Sequence, residues 1–68
     1  MKVVLYTTHC PQCVVLENML KANNVEYDVE TDVKLMRQKK FFSVPKLEVD
    51  GVVMDMKQSM EWLKENFN

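Results

Sequence analysis

The chain has few of the residues that loosen or staple a polypeptide: among 68 residues there are one glycine, two prolines, two cysteines, one tryptophan and one histidine. So little glycine and proline, in a sequence that is 47% hydrophobic and 28% charged, excludes a disordered tail or a low-complexity segment. Two cysteines cannot build the framework of a small secreted domain. They are Cys10 and Cys13, and a bond between them would close almost no loop and add little stability. No apolar run approaches the roughly 20 residues of a membrane span. The opening Met1-Lys2-Val3-Val4-Leu5-Tyr6 is too short in apolar residues for a secretory signal and has no small-residue cleavage site. Charge of one sign is also missing. Nine Lys+Arg stand against ten Asp+Glu for a net charge of −1, which does not suit a protein that neutralises phosphates. The expectation is a soluble cytoplasmic protein with neither nucleic acid nor a membrane as partner. Thiols stay reduced in that compartment, so a close cysteine pair there points to redox cycling or metal binding.

With no linker or repeat in view, residues 1–68 are expected to form a single domain, of a size that buries only about 60% of its unfolded surface. The pattern reads β-α-β-α-β-β-α. Val3-Val4-Leu5-Tyr6 is a continuous run of strand formers, as in a strand buried on both faces. Leu16, Met19 and Leu20 recur at helical spacing, predicting a helix from Pro11 to Ala22 that ends at Asn23-Asn24. Val25 to Glu30 alternates, with Val25, Tyr27 and Val29 on the expected buried face of a second strand. Thr31 or Asp32 then caps a short helix through Val33 and Met36. Asp50-Gly51 between Lys46–Val49 and Val52–Met54 signals a β-hairpin. Asp55 and Gln58 resemble a capping box opening a last helix over about 57–66, with Met56, Met60, Leu63 and Phe67 as its apolar stripe. The six methionines read as packing.

Cys10-Pro11-Gln12-Cys13 falls where the first strand passes into the first helix. Pro11 suits the first helical position, where its missing N–H leaves no bond unmade. Cys10 is then the N-cap and Cys13 lies in the first turn. Free N–H groups and the positive end of the helix dipole favour a thiolate on Cys10, which makes it the expected nucleophile. Cys13, one turn on and more covered, is placed to attack a mixed disulfide formed at Cys10. No bound cofactor is needed for that cycle. The other use of such a pair is as half of a metal site. Zinc wants four ligands, and one chain offers Cys10, Cys13 and at most His9, so a metal or iron–sulfur carrier would have to bridge two chains.

These residues in this order resemble a glutaredoxin, within the thioredoxin-fold superfamily. Cys10-Pro11-Gln12-Cys13 follows strand one, Ser43-Val44-Pro45 stands where the family has Thr-Val-Pro, and the Asp50-Gly51 hairpin precedes a last helix. The resemblance implies an α/β fold with a four-stranded mixed sheet flanked by three helices. It implies a cis peptide bond before Pro45, and a ledge at Val44 and Pro45 on which the substrate's backbone adds as a strand. It also implies a monomeric dithiol-disulfide oxidoreductase that passes electrons to a disulfide-containing client protein. Pro11 and Gln12 between the sulfurs, and His9 beside them, complete the expected substrate-binding set. Two stretches depart from glutathione-using members: Thr7-Thr8-His9, where those carry Lys or Arg, and Asp55-Met56-Lys57-Gln58-Ser59, where those carry Gly-Gly and an acidic pair. Side chains in place of the glycines obstruct a ligand at the backbone. The chain is similar in this to redoxins reduced by a thioredoxin-reductase-type flavoenzyme, which supply ribonucleotide reductase. Arg37, Gln38, Lys39 and Lys40 read as a solvated face, and one of Phe41 and Phe42 as exposed beside the site.

Overall fold

The computed structural model describes residues 1–67. Seven elements follow in the expected order: β1 (Val3–Tyr6), α1 (Pro11–Ala22), β2 (Asp28–Glu30), α2 (Val33–Gln38), β3 (Lys46–Val49), β4 (Val52–Met54) and α3 (Met56–Phe67). The four strands form one mixed sheet in the order β2-β1-β3-β4. β1 pairs in parallel with β2 and antiparallel with β3, and β3 pairs antiparallel with β4. A parallel pair needs a crossover between its strands, and α1 supplies it.

Register decides what each face buries. Val3 and Leu5 point to one face of β1 and Val4 and Tyr6 to the other, because side chains alternate along a strand. Leu5 stands opposite Leu47, and Val3 opposite Val49. These four join Leu16 and Leu20 of α1, Val25, and Leu63 of α3 in one buried cluster. The other face carries α2, through Met36 and through Phe41 packed on Tyr6.

Short polar signals set the element ends. Both longer connections leave their helices through a residue in the left-handed region, Asn24 after α1 (φ 56°) and Lys40 after α2 (φ 61°). In each case the next residue donates its N–H back into the last turn, Val25 to the Leu20 carbonyl at 3.0 Å and Phe41 to that of Met36 at 2.8 Å, which satisfies carbonyls the helix leaves open. Asp32 caps α2 by accepting from the N–H groups of Lys34 and Leu35. Asp55 and Gln58 bond reciprocally at the start of α3. Asp50 and Gly51 adopt φ of 48° and 88°, the two positive values of a hairpin turn that matches strand twist.

Three expectations change. β2 begins only at Asp28, and Val29, although in register with Leu5, is 47% exposed because β2 is an edge strand with a neighbour on one side only. The apolar stripe of α3 is narrower than the sequence suggests. Leu63 and Ser59 are buried, Met56 is half-buried, and Met60 and Phe67 lie in solvent, since only one side of α3 meets α1 and the sheet. The methionines are therefore not all packing: Met36 alone is fully buried, and Met19, Met56 and Met60 line a surface groove of about 560 Å³ between α1 and α3. Among the described residues no helix is long and apolar enough to cross a membrane.

A chain of this length has roughly 3–10 kcal/mol of stability in total, and truncating a fully buried leucine costs about 2–5 kcal/mol. Leu5→Ala is therefore expected to remove most of the urea resistance of the fold. Val29→Ala, in the same row but half in solvent, should shift the urea midpoint only slightly. Equal shifts for the two would contradict the assignment of the core.

Candidate active site

The site is built where β1 leaves the sheet. Its last ladder bond runs from the Thr7 N–H to the Glu30 carbonyl at 3.0 Å, and α1 starts four residues later at Pro11. The chain turns this corner through His9 in the left-handed region at φ 62°. His9 has no glycine's freedom there, and its N–H is held by the Thr7 hydroxyl oxygen at 2.9 Å. Cys10 follows in extended geometry as the N-cap of α1, with Pro11 in the first helical turn. The Cys13 N–H donates to Cys10 Sγ at 3.2 Å, so the sulfur itself is the capping group.

The two thiols differ in access. Cys10 is partly exposed, whereas Cys13 is 1% exposed beneath it. Thr7, 2% exposed, lies on the buried side with Cys13. Burial pushes the Cys13 thiol up, but hydrogen bonds from the Cys10 thiol, the Thr7 hydroxyl and the Thr8 and Cys10 backbone outweigh it, and Cys13 ends below the ordinary thiol value. Cys10 ends above its ordinary value, first because its thiol donates to Cys13 and second through desolvation. The N–H groups of Cys13 and Gln12 pull it down by less. The helix end favours charge on Cys10, and the hydrogen bond exchanged between the two thiols acts the other way, raising Cys10 and lowering Cys13. After the first ionisation the two sulfurs share the remaining proton, so that ionisation belongs to the pair, and a thiolate at Cys10 requires the proton on Cys13.

The structure brings most of the expected residues together. Pro11 and Gln12 are exposed at the start of α1, and His9 is exposed beside Cys10. β3 begins opposite the end of β1, with Lys46 in register with Tyr6, so Val44 and Pro45 run past the corner that leads to Cys10. The Val44–Pro45 peptide bond is cis, and Pro45 is buried. Between this segment and α2 lies a groove of about 250 Å³ that touches Thr8, Met36, Arg37, Phe41, Phe42 and Val44. Of the two phenylalanines, Phe41 packs edge-on against Tyr6 at 5.0 Å and Phe42 is 85% exposed. Neither the groove at α2 nor the larger one between α1 and α3 touches a residue of the cysteine motif, and the smaller one comes nearest in sequence, at Thr8. Among the described residues no group of three or more His, Cys, Asp or Glu is placed to hold a metal ion.

Sequence reasoning missed Thr7. Its signal was present: period two places residue 7 on the same side as Leu5, and a hydroxyl at a core position needs a partner. It also missed a cluster beneath the groove. The Tyr6 hydroxyl donates to Glu48 Oε1 at 3.1 Å, and Lys39 Nζ stands 3.8 Å from the same oxygen and 5.6 Å from the Tyr6 ring centre.

No family model matches the chain, and no curated protein does. Solved structures do. A Thr-to-Ala mutant of the thioredoxin-like protein BC3987 superposes with a TM-score of 0.77 at 30% identity, covering 98% of this chain and 97% of that one. The same protein without the mutation gives 0.72 at 33% identity, covering 94% and 97%. Identity at this level over nearly the whole of both chains, with the strand and helix order expected of that fold, makes this chain a member of the thioredoxin-like proteins.

Proposed function

We propose that the protein is a dithiol-disulfide oxidoreductase, a glutaredoxin-like electron carrier that reduces disulfides of client proteins through Cys10 and Cys13. The observation that carries this is the stacking of a reachable sulfur on a covered one. Cys10 Sγ caps α1 and accepts from the Cys13 N–H, while Cys13 sits buried behind it. With the shared proton on Cys13, the Cys10 thiolate attacks one sulfur of the client's disulfide. A Cys10–client disulfide forms and the client's other sulfur leaves as thiolate, to be protonated. Cys13 then gives up the proton and attacks Cys10 Sγ, the mixed disulfide breaks, and the client's second thiol departs. The client disulfide gains two electrons and two protons, and the protein is left with a Cys10–Cys13 disulfide. Val44 and Pro45 form the ledge for the client's backbone, and His9, Pro11 and Gln12 form the rim around the sulfur.

The oxidised pair must be reduced in turn. A thioredoxin-reductase-type flavoenzyme fits better than glutathione, and ribonucleotide reductase is a candidate client. The support is local. At the start of α3 the Asp55 N–H is taken by Gln58 Oε1 at 3.0 Å and the Gln58 N–H by Asp55 Oδ1 at 2.8 Å, so these donors are not open to a carboxylate of a thiol peptide. The other reading, a metal or iron–sulfur carrier, uses the same two thiols and requires further ligands from a second chain.

Cys10→Ser is expected to abolish reduction of a test disulfide. Cys13→Ser should stop after the first step and accumulate a mixed disulfide, seen as added mass that dithiothreitol removes. Full activity of Cys10→Ser would end this mechanism. Supplied with NADPH, a thioredoxin reductase should regenerate the dithiol faster than glutathione with its own reductase, and rapid turnover with glutathione alone would reverse that assignment. The reduced protein should also show a particular dependence of stability on pH. Cys13 ionises below the ordinary thiol value, so the unfolded chain holds more protons there and stability rises with pH through that range. Cys10 ionises above it, so past the ordinary value the folded chain holds more protons and stability falls. A maximum near the ordinary thiol value of about 8.5 is expected in urea titrations of the dithiol and not of the disulfide form.

A further inference from the structure

The groove between α2 and Val44, which reaches Thr8 two residues before Cys10, has a wall with two faces. On one side Phe41 and Met36 line the groove with Val44, Arg37 and the exposed Phe42. On the other, the Phe41 ring meets the Tyr6 ring edge-on at 5.0 Å with an interplanar angle of 75°. Tyr6 is almost fully buried, and its hydroxyl is fixed to Glu48 Oε1 at 3.1 Å. Lys39 closes the arrangement from α2, standing 3.8 Å from that carboxylate oxygen and 5.6 Å from the centre of the Tyr6 ring. The backbone between Lys39 and Phe41 is wound tightly. Lys40 takes positive φ and donates to the Arg37 carbonyl at 2.9 Å, so wherever Lys39 is held, Phe41 is aimed. α2 is only six residues long and buries Met36 alone, so packing by itself gives this wall little support.

We propose that Tyr6, Glu48 and Lys39 act as positioning residues for client selection: they fix Phe41, and through it the shape of a groove that accepts an apolar side chain of a polypeptide client next to a carboxylate. The occupant follows from the lining. Phe41, Phe42, Met36 and Val44 offer apolar surface in a groove that also touches Thr8, and Arg37 is the single charged residue among the lining side chains, with no acidic one to oppose it. An exposed phenylalanine at the rim of a groove, flanked by arginine, is the kind of anchor that dominates recognition of a partner. The cluster lies on the far side of Phe41 from the groove and touches no sulfur, so it affects how a client is held and not the exchange itself. This inference rests on the redox function proposed above.

The test uses the full chain, reduced with dithiothreitol and freed of it, in single turnover, so that no reductase is needed. Two synthetic peptide disulfides serve as probes, one with Leu-Glu beside the cysteine and one with Ser-Gln, together with bis(2-hydroxyethyl) disulfide, which is too small to need the groove. Wild type should saturate at lower concentration with the Leu-Glu peptide than with the Ser-Gln peptide. Glu48→Leu, which removes the acceptor of the Tyr6 hydroxyl, should raise the half-saturating concentration of the Leu-Glu peptide about three- to tenfold, the worth of one net hydrogen bond read as affinity, and Lys39→Met, which removes a partly exposed ion pair, should raise it about two- to fivefold. The maximal rate, the Ser-Gln peptide and the small disulfide should be unaffected. Tyr6→Phe keeps the ring and removes the hydroxyl, and should behave alike. Because Tyr6 is buried and Glu48 and Lys39 are not, the latter two variants decide the matter if Tyr6→Phe fails to fold. An unchanged half-saturating concentration in both, or no preference in wild type, overturns the proposal. If reduced wild type does not reduce the small disulfide, the redox function itself falls and the proposal with it, a result distinct from failure of the cluster alone.

Discussion

Everything near the sulfurs depends on the burial of Leu5. It is fully enclosed, with Leu47 beside it in the sheet and α1 above it, and that fixes the direction and the end of β1. Once β1 is fixed, the chain has four residues, Thr7 to Cys10, in which to leave the sheet and start a helix over the same core. A gradual curve does not fit in that length. The chain takes a sharp corner at His9 instead, held by the Thr7 hydroxyl, and delivers Cys10 to the end of α1 at the moment the helix needs a cap. Packing alone thus places a sulfur where backbone donors are unsatisfied.

A capping group is usually an oxygen, and a sulfur is a poorer acceptor. Cys10 fills the position by accepting from the Cys13 N–H at 3.2 Å. The inner thiol lies below its ordinary value and the outer one above it. The two sulfurs titrate as a linked pair, one reachable and one covered.

Much of this was legible in the sequence because it is local. Pro11 after Cys10, Asp32 before α2, Asp55 with Gln58 and Asp50 with Gly51 each announce an element end through the hydrogen bonds a residue makes with near neighbours, and the structure contains those bonds or turns. Where burial depends on which elements come to lie alongside, periodicity misled. Val29 has the right spacing but no strand on its outer side, and Met60 is in the stripe of α3 but beyond the line where that helix meets α1. The cluster of Tyr6, Lys39 and Glu48 was illegible for the same reason. Its members stand on three different elements or their ends, and no spacing rule connects them. The lowering of Cys13 needed the position of Thr7, which period two alone could have suggested.

The order of the strands has a consequence for how the molecule comes into being. β1 is central in space but early in sequence: its antiparallel neighbour is β3, and the hairpin tip returns to it through the Lys2 N–H on Asp50 Oδ1 and the Asp50 N–H on the Lys2 carbonyl, at 2.8 and 2.9 Å. Leu5 is enclosed only when Leu47 and Leu63 have both arrived. No contiguous half of the chain holds the whole of this cluster. Contacts that span so much of the sequence slow folding. The motif occupies four consecutive residues, yet the strand that delivers it to the end of α1 is held in place by β3, from the far half of the sequence.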